Sequence, residues 1–255
     1  MNIKIIVRGT IFFIFAALIE LLDMKKNIAI SRLFIGLLLT FLVYAAAMIV
    51  SYYWHLDSTI FATSVPTHIT MLALSIILIL IFKKQINYRI AMPKFKETLK
   101  PVALSLLCTV VINVVLNLIT IITGGAAAVQ KHPLIENTNV LQVFLSVFIL
   151  ASISEELLFR GFLQNYLRPL SDKGITLFKT RISLPVFISA LAFSLAHLIL
   201  LTSGVNTMFI VRILVFTFVL GLLAGYYQEK HDNNIFAILV HMAGNLPGLI
   251  AACFL

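Results

Sequence analysis

Long apolar segments recur along this chain and constrain its fold more than any other feature. A membrane span needs about 20 consecutive apolar residues. Stretches of that order run from 5–22, 33–53, 66–82, 101–123, 139–167, 183–201, 206–227 and 233–254. Only 11% of the residues are charged, whereas a soluble domain is about 25% charged. The sequence therefore predicts an all-α fold, a polytopic membrane helix bundle with about eight transmembrane helices. Segment 5–22 contains Arg8 and Glu20, so it is also compatible with an interfacial helix.

Basic residues are distributed very unevenly over the loops between these segments. The odd-numbered loops, which follow segments one, three, five and seven, carry fourteen Lys and Arg residues, whereas the even-numbered loops carry only Lys131. Because loops rich in Lys and Arg stay in the cytoplasm, the odd-numbered loops are predicted to be cytoplasmic in a multi-pass protein of the cell membrane. Contacts with anionic lipid headgroups explain the net charge of +9, and no nucleic-acid partner is expected.

Three of the apolar segments contain polar residues that are costly inside a bilayer. Segment five contains Glu155, Glu156 and Arg160, segment six contains His197, and segment eight contains His241 and Asn245. Ionisable residues at such positions mark functional sites. Glu156 and Arg160 are four residues apart on one helix face and can pair. Glu155 projects about 100° away from Glu156, so it is expected to face a cavity.

Depth counting suggests that these residues share one layer of the membrane. At 1.5 Å per residue, Glu155, His197 and Asn245 lie about 18 to 21 Å from the cytoplasmic ends of their segments. His241 lies about 12 Å from its own end. The sequence therefore predicts one site, open to the cytoplasmic side.

The spacing of these residues resembles a known set of motifs. Glu155-Glu156-x-x-x-Arg160, Phe193-x-x-x-His197 and His241-x-x-x-Asn245 are similar to the three motifs of the CPBP intramembrane proteases. This is the CAAX-protease and bacteriocin-processing (Abi) family, which includes the type II CAAX prenyl endopeptidases. The resemblance covers about 140–249 and implies a glutamate-dependent intramembrane endopeptidase acting near the cytoplasmic face on a hydrophobic, membrane-associated peptide.

The resemblance also implies a role for each motif residue. Glu155, together with His197, would activate a water molecule, and His241 and Asn245 would stabilise the oxyanion. Glu156 and Arg160 would organise the site. The chain then divides into 1–138, with about four transmembrane helices, and 139–255, which carries the motifs.

The involvement of a metal is left open by the sequence. The family is often classed among the metalloproteases, and one carboxylate with two imidazoles is a plausible zinc set, which here would be Glu155, His197 and His241. Water activation by Glu155 without a metal is equally coherent and is slightly favoured.

The sequence leaves the biological role open and contains further polar residues outside the three motifs. In bacteria, the resemblance implies bacteriocin self-immunity or maturation of secreted peptides such as pheromones more than CAAX prenyl processing. A non-catalytic membrane scaffold or chaperone is the main alternative, and a proton-coupled transporter is less favoured. Arg212 is predicted either to snorkel or to contact a neighbouring helix, and Asn113 and Asn117 are predicted to form hydrogen bonds between helices. Solvated positions near the interfaces are predicted for His55, His68, His132 and His231.

Overall fold

Seven helices form the part of the chain that the structure describes. The computed structural model describes residues 28–54, 56, 58–124, 130, 138–177 and 179–254. The helices are α1 (Ile28–Tyr53), α2 (Val65–Ile81), α3 (Phe95–Gly124), α4 (Val140–Gln164), α5 (Leu184–Ala196), α6 (Thr207–His231) and α7 (Asn234–Ala252). A 3-10 helix, His197–Ser203, continues α5. Within the described ranges, six helices are long and apolar enough to cross a membrane, and α2 is shorter.

The predicted all-α membrane bundle is confirmed, but the count of eight helices is not. The seven helices coincide with predicted segments two to eight, and segment 5–22 lies outside the described residues. Side-chain caps explain where several helices begin. Asn139 and Gln142 form a reciprocal capping box at α4, and Ser183, Asn206 and Asn233 cap α5, α6 and α7. Such caps satisfy amide groups that have no partner within the helix.

Helix α4 lies in the interior of the bundle and is not a regular α-helix. Two π-helical stretches, Val143–Ala151 and Leu157–Gln164, flank an α-helical turn, Ser152–Glu156. Every residue of the second π-helical stretch is buried. In contrast, Leu107, Val114 and Leu118 of α3 are exposed, as expected for a face that contacts lipid. Because π-helical turns are rare and frequently occur at functional sites, α4 is a candidate location for the functional site.

Hydrogen bonds between helices hold the bundle around α4. The Ser189 hydroxyl of α5 donates to the Phe159 carbonyl of α4 at 2.7 Å. The Tyr44 hydroxyl of α1 donates to the Ala196 carbonyl at 3.0 Å, and the Ser105 hydroxyl of α3 donates to the Val240 carbonyl of α7 at 2.6 Å. Small polar groups of this kind join helices in an apolar solvent.

A short β-hairpin follows α4, where the sequence predicted only a basic loop. Strands β1 (Gly174–Leu177) and β2 (Thr180–Ser183) pair antiparallel, and Lys179 adopts a positive φ of 69° in the turn between them. The guanidinium of Arg181 donates to the carbonyls of Ser171 and Asp172. Strands of four residues give little periodicity to read, so the hairpin was missed.

Candidate active site

The two adjacent glutamates of α4 point to different environments. Glu156 is fully buried and accepts a hydrogen bond from Arg160 at 2.9 Å, one turn further along the helix. The buried guanidinium of Arg160 also lies 4.7 Å from the centre of the Phe193 ring. Glu155 keeps 16% of its side chain exposed and lines a cavity. Both residues lie in the α-helical turn Ser152–Glu156, and adjacent side chains of such a turn project about 100° apart, so the two glutamates enter different environments.

Glycine makes room for the buried ion pair. A Cβ at Gly221 of α6 would lie 2.8 Å from Nη2 of Arg160 and 3.0 Å from Cα of Ala190. Real Cβ atoms do not approach other atoms that closely. Helix α6 can therefore pack this closely against Arg160 and against α5 only because residue 221 has no side chain.

His241 connects the two glutamates. Its Nδ1 lies 2.7 Å from Oε1 of Glu156, and its Nε2 lies 3.8 Å from Oε2 of Glu155. Because a carboxylate accepts hydrogen bonds, Nδ1 carries a proton and donates it to Glu156. The Nε2 atom then faces the carboxylate of Glu155.

His197 begins the 3-10 helix that extends α5. Its Nδ1 lies 2.9 Å from the Phe193 carbonyl oxygen. A carbonyl oxygen can only accept, so Nδ1 is the protonated nitrogen and Nε2 is the basic nitrogen of the neutral ring. The Phe193 ring packs edge-on against both His197 and His241, at centroid distances of 5.0 and 5.4 Å.

Asn245 lies one turn after His241 on α7 and contacts α4. Its amide nitrogen donates to the Ser152 hydroxyl at 3.2 Å and to the Val147 carbonyl at 3.4 Å. Both distances are at the long end for hydrogen bonds. The amide therefore sits beside the glutamate turn without a tight partner.

A cavity of about 1010 Å³ brings the predicted residues together. Glu155, His197, His241 and Asn245 all line it. Glu156 and Arg160 lie behind this surface, fully buried, where Glu156 contacts His241 and Arg160 lies over the Phe193 ring, two residues that line the cavity. All six residues predicted from the sequence thus belong to one cluster, with four facing the cavity.

The expectation that His68 is solvated is wrong. Only 7% of His68 in α2 is exposed, and the residue lines the cavity. Its Nδ1 lies 3.3 Å from the Ser154 hydroxyl and 4.0 Å from Oε1 of Glu155. Sequence reasoning missed it because His68 lies near the start of a segment. The one available signal was that it is a titratable residue within an apolar segment.

The remaining singled-out residues have more varied positions. Arg212 donates to the Asn117 side-chain oxygen and to the Gln130 carbonyl, so the predicted helix contact of Asn117 is confirmed. Asn113 donates instead to Thr109 of its own helix. Structural roles were predicted for Arg212, Asn113 and Asn117, yet all three also line the cavity. His231 is half-buried and stacks on Phe236, while His55 and His132 lie outside the described residues.

The residues that could hold a metal do not form a metal site in this arrangement. Within the described ranges, no three His, Cys, Asp or Glu side chains form a group that could hold a metal ion, and this includes Glu155, His197 and His241. The residues therefore do not fit zinc as they stand, and no step below uses a metal.

The cavity does not open where the depth count placed the opening. It is lined by residues next to the even-numbered loops, such as Trp54, Leu56 and Ser64, and by Gln130 and Ala251. The sequence predicted both that the odd-numbered loops are cytoplasmic and that the site opens to the cytoplasm. Because the cavity lies at the end of the bundle that carries the even-numbered loops, these two predictions exclude each other. The depth prediction used the distance of each residue from one end of its helix. Such distances contain no information about which end of the bundle is hollow.

The motif-bearing part of the chain matches a known protein family. Residues 137–247 match the family model described as type II CAAX prenyl endopeptidase Rce1-like. The matched range contains all three motifs, so the family resemblance predicted from them is confirmed for this part of the chain. No significant match was found among curated proteins or among solved structures.

Proposed function

We propose, from the Rce1-like match over residues 137–247, that this protein is an intramembrane endopeptidase whose base is Glu155. The match itself supports a membrane peptidase of the CAAX type in general. The finer assignment is supported mainly by one observation: Glu155, His197, His241 and Asn245 line a single cavity inside apolar helices. Hydrolysis in a membrane requires a water-accessible pocket, and a carboxylate in its wall can act as the general base.

Glu155 is proposed to take a proton from a water molecule that attacks the peptide carbonyl. It is the glutamate that faces the cavity, whereas Glu156 is held by Arg160 and His241. Nε2 of His197, the basic nitrogen of that ring, would orient the same water. A positioned base of this kind contributes about 10²- to 10⁴-fold to a rate.

His241 and Asn245 are proposed to stabilise the oxyanion that forms on the carbonyl oxygen. The proton that Glu155 accepts can pass to Nε2 of His241, 3.8 Å away, which then donates to the oxyanion. The Asn245 amide exchanges one of its long hydrogen bonds for the same oxygen. When the intermediate collapses, Nε2 of His241 returns the proton to Glu155, and Glu155 delivers it to the leaving amine, so the carboxylate and both imidazoles regain their starting protonation. Donors placed at a developing charge contribute a few kcal/mol.

The proposed substrate is a peptide segment associated with the membrane. Because the cavity lies within the helix bundle, substrates have to approach through the bilayer or its interface. Bacteriocin self-immunity or maturation of a secreted peptide is favoured over CAAX prenyl processing. The orientation proposed from loop charge places the odd-numbered loops in the cytoplasm.

Replacement of the proposed base tests this function directly. Glu155→Gln keeps the size of the side chain but cannot accept the proton, so cleavage is expected to fall about 10²- to 10⁴-fold. Comparing the peptides of cells that carry the wild-type or variant protein should show an uncleaved precursor accumulating in the variant. Glu97→Gln, on an exposed carboxylate of α3, is the matched control and should process normally.

The same experiment separates catalysis from a scaffold role. A scaffold or chaperone would keep its cellular function without the Glu155 carboxylate. Full function of the Glu155→Gln variant, with an unchanged peptide profile, would therefore contradict the protease proposal.

A further inference from the structure

The cavity occupies only one end of the bundle. In each contributing helix, the lining residues lie between the candidate active site and the end that leads to an even-numbered loop or to the last residues of α7. The lining thus includes Met48 and Ser51 of α1, Thr67 of α2, Val147 of α4, and Gly248 and Ala251 of α7. Among the described residues, none from the odd-numbered loops lines it.

The charged loops lie at the opposite end. Twelve of the fourteen Lys and Arg residues of the odd-numbered loops lie in the described ranges, and the buried second half of α4, Leu157–Gln164, separates them from the opening. The hairpin of β1 and β2 also lies at that charged end. Because segments rich in Lys and Arg are retained in the cytoplasm, the hollow end of the bundle faces away from the cytoplasm.

We propose that the cavity admits its substrate from the extracytoplasmic side of the membrane. The substrate is then a peptide segment that lies at the outer interface or has already crossed the bilayer. That the substrate is a peptide rests on the proposed function, whereas the side on which the cavity opens does not.

The outer wall of the cavity suits an extended peptide. Hydroxyls of Thr63, Ser64 and Thr67 and amides of Asn113 and Asn117 alternate with apolar side chains. Such a surface can bond a peptide backbone while accommodating apolar side chains.

The depth of the wall corresponds to a few residues of substrate. Leu220 lies beside Gly244, at the level of the active site. Arg212 precedes it by eight residues on α6, or about 12 Å, which corresponds to about three or four residues of extended peptide.

Cysteine accessibility tests the direction of the opening. Cys108 and Cys253 are first replaced by alanine, and Thr67→Cys then reports on the cavity next to His68. A charged, membrane-impermeant thiol reagent is applied to right-side-out and to inverted membrane vesicles containing the full chain. Thr59→Cys in the second loop and Lys94→Cys in the third loop are controls for the two faces, since both residues are exposed.

Thr67→Cys and Thr59→Cys are expected to react in right-side-out vesicles and to lose that reaction in inverted ones, while Lys94→Cys shows the reverse. The proposal is overturned if Thr67→Cys is labelled in the same vesicle preparation as Lys94→Cys. It is also overturned if the two loop controls show the opposite sidedness to that expected, or if Thr67→Cys is labelled in neither preparation. Labelling does not depend on catalysis, so it is repeated in the Glu155→Gln background. An active Glu155→Gln variant would remove the proposed function and leave the labelling result intact.

Discussion

His68 is a second imidazole beside the carboxylate of Glu155. The two imidazoles approach different oxygens of that carboxylate, His68 at 4.0 Å from Oε1 and His241 at 3.8 Å from Oε2. His68 is also held by the Ser154 hydroxyl. These contacts suggest that His68 positions the carboxylate, although it belongs to none of the three motifs.

Replacing His68 should therefore impair catalysis more than folding. His68→Gln is expected to lower kcat about tenfold, less than the loss expected for removing the base itself, with little change in KM or in thermal stability. The pH dependence of kcat should change shape, because a titratable neighbour of Glu155 is lost. His231→Gln is the control, since His231 stacks on Phe236 outside the cavity. A His68→Gln variant with wild-type kcat and pH profile would exclude a positioning role.

At the scale of elements, buried amides join the end of α4 to α6. The side chain of Gln164 donates to the Gln228 side chain at 2.7 Å and to the Gly225 carbonyl at 2.9 Å. Gln228 in turn donates to Asn165 at 3.1 Å, and Asn165 donates to the Arg160 carbonyl at 3.0 Å. This chain of hydrogen bonds reaches the helical turn that carries the buried ion pair.

Removing the central amide should destabilise the bundle. Gln228→Leu removes the hydrogen bond from Gln164 and the hydrogen bond to Asn165, and a hydrogen bond between membrane helices contributes about 0.6 kcal/mol on average and up to about 1.7 kcal/mol. A loss at the upper end of that range is expected in the thermal unfolding of the detergent-solubilised protein. Gln85→Leu, at an exposed position, should unfold within about 0.5 kcal/mol of the wild type. Equal stability of the two variants would show that the network contributes nothing.

At the scale of the molecule, the division at residue 139 stays a prediction, and contacts cross it at several places. The Gln142 side chain donates to the Ser58 carbonyl at 2.8 Å, and the Ala62 amide donates to the Ser146 hydroxyl at 3.1 Å. Thr67 and His68 of α2 also line the cavity. The first half of the chain thus completes the site that the motifs begin.

A split chain should reveal this dependence. Residues 139–255 produced alone are expected to lack cleavage activity, because they lack His68 and the inner face of α2, and co-production of residues 1–138 should restore at least part of it. The restoration should fail when the second fragment carries Glu155→Gln. Activity of the isolated second fragment in the membrane would contradict the prediction.

The sequence by itself determined the bundle and the identity of the motif residues. Apolar length is a local property, so seven predicted segments reappear as helices at nearly the same bounds. The pairing of Glu156 with Arg160 follows from helical spacing within one element, and the loop charges follow from composition.

Only the tertiary structure decided which other residues join the site and which end of the bundle is hollow. His68 reaches Glu155 because α2 packs against α4, a contact between residues 87 positions apart in the numbering of the chain. The end at which the cavity opens depends on where the helices diverge. Both properties arise from the packing of helices that are distant in sequence, and no periodicity within one segment carries that information.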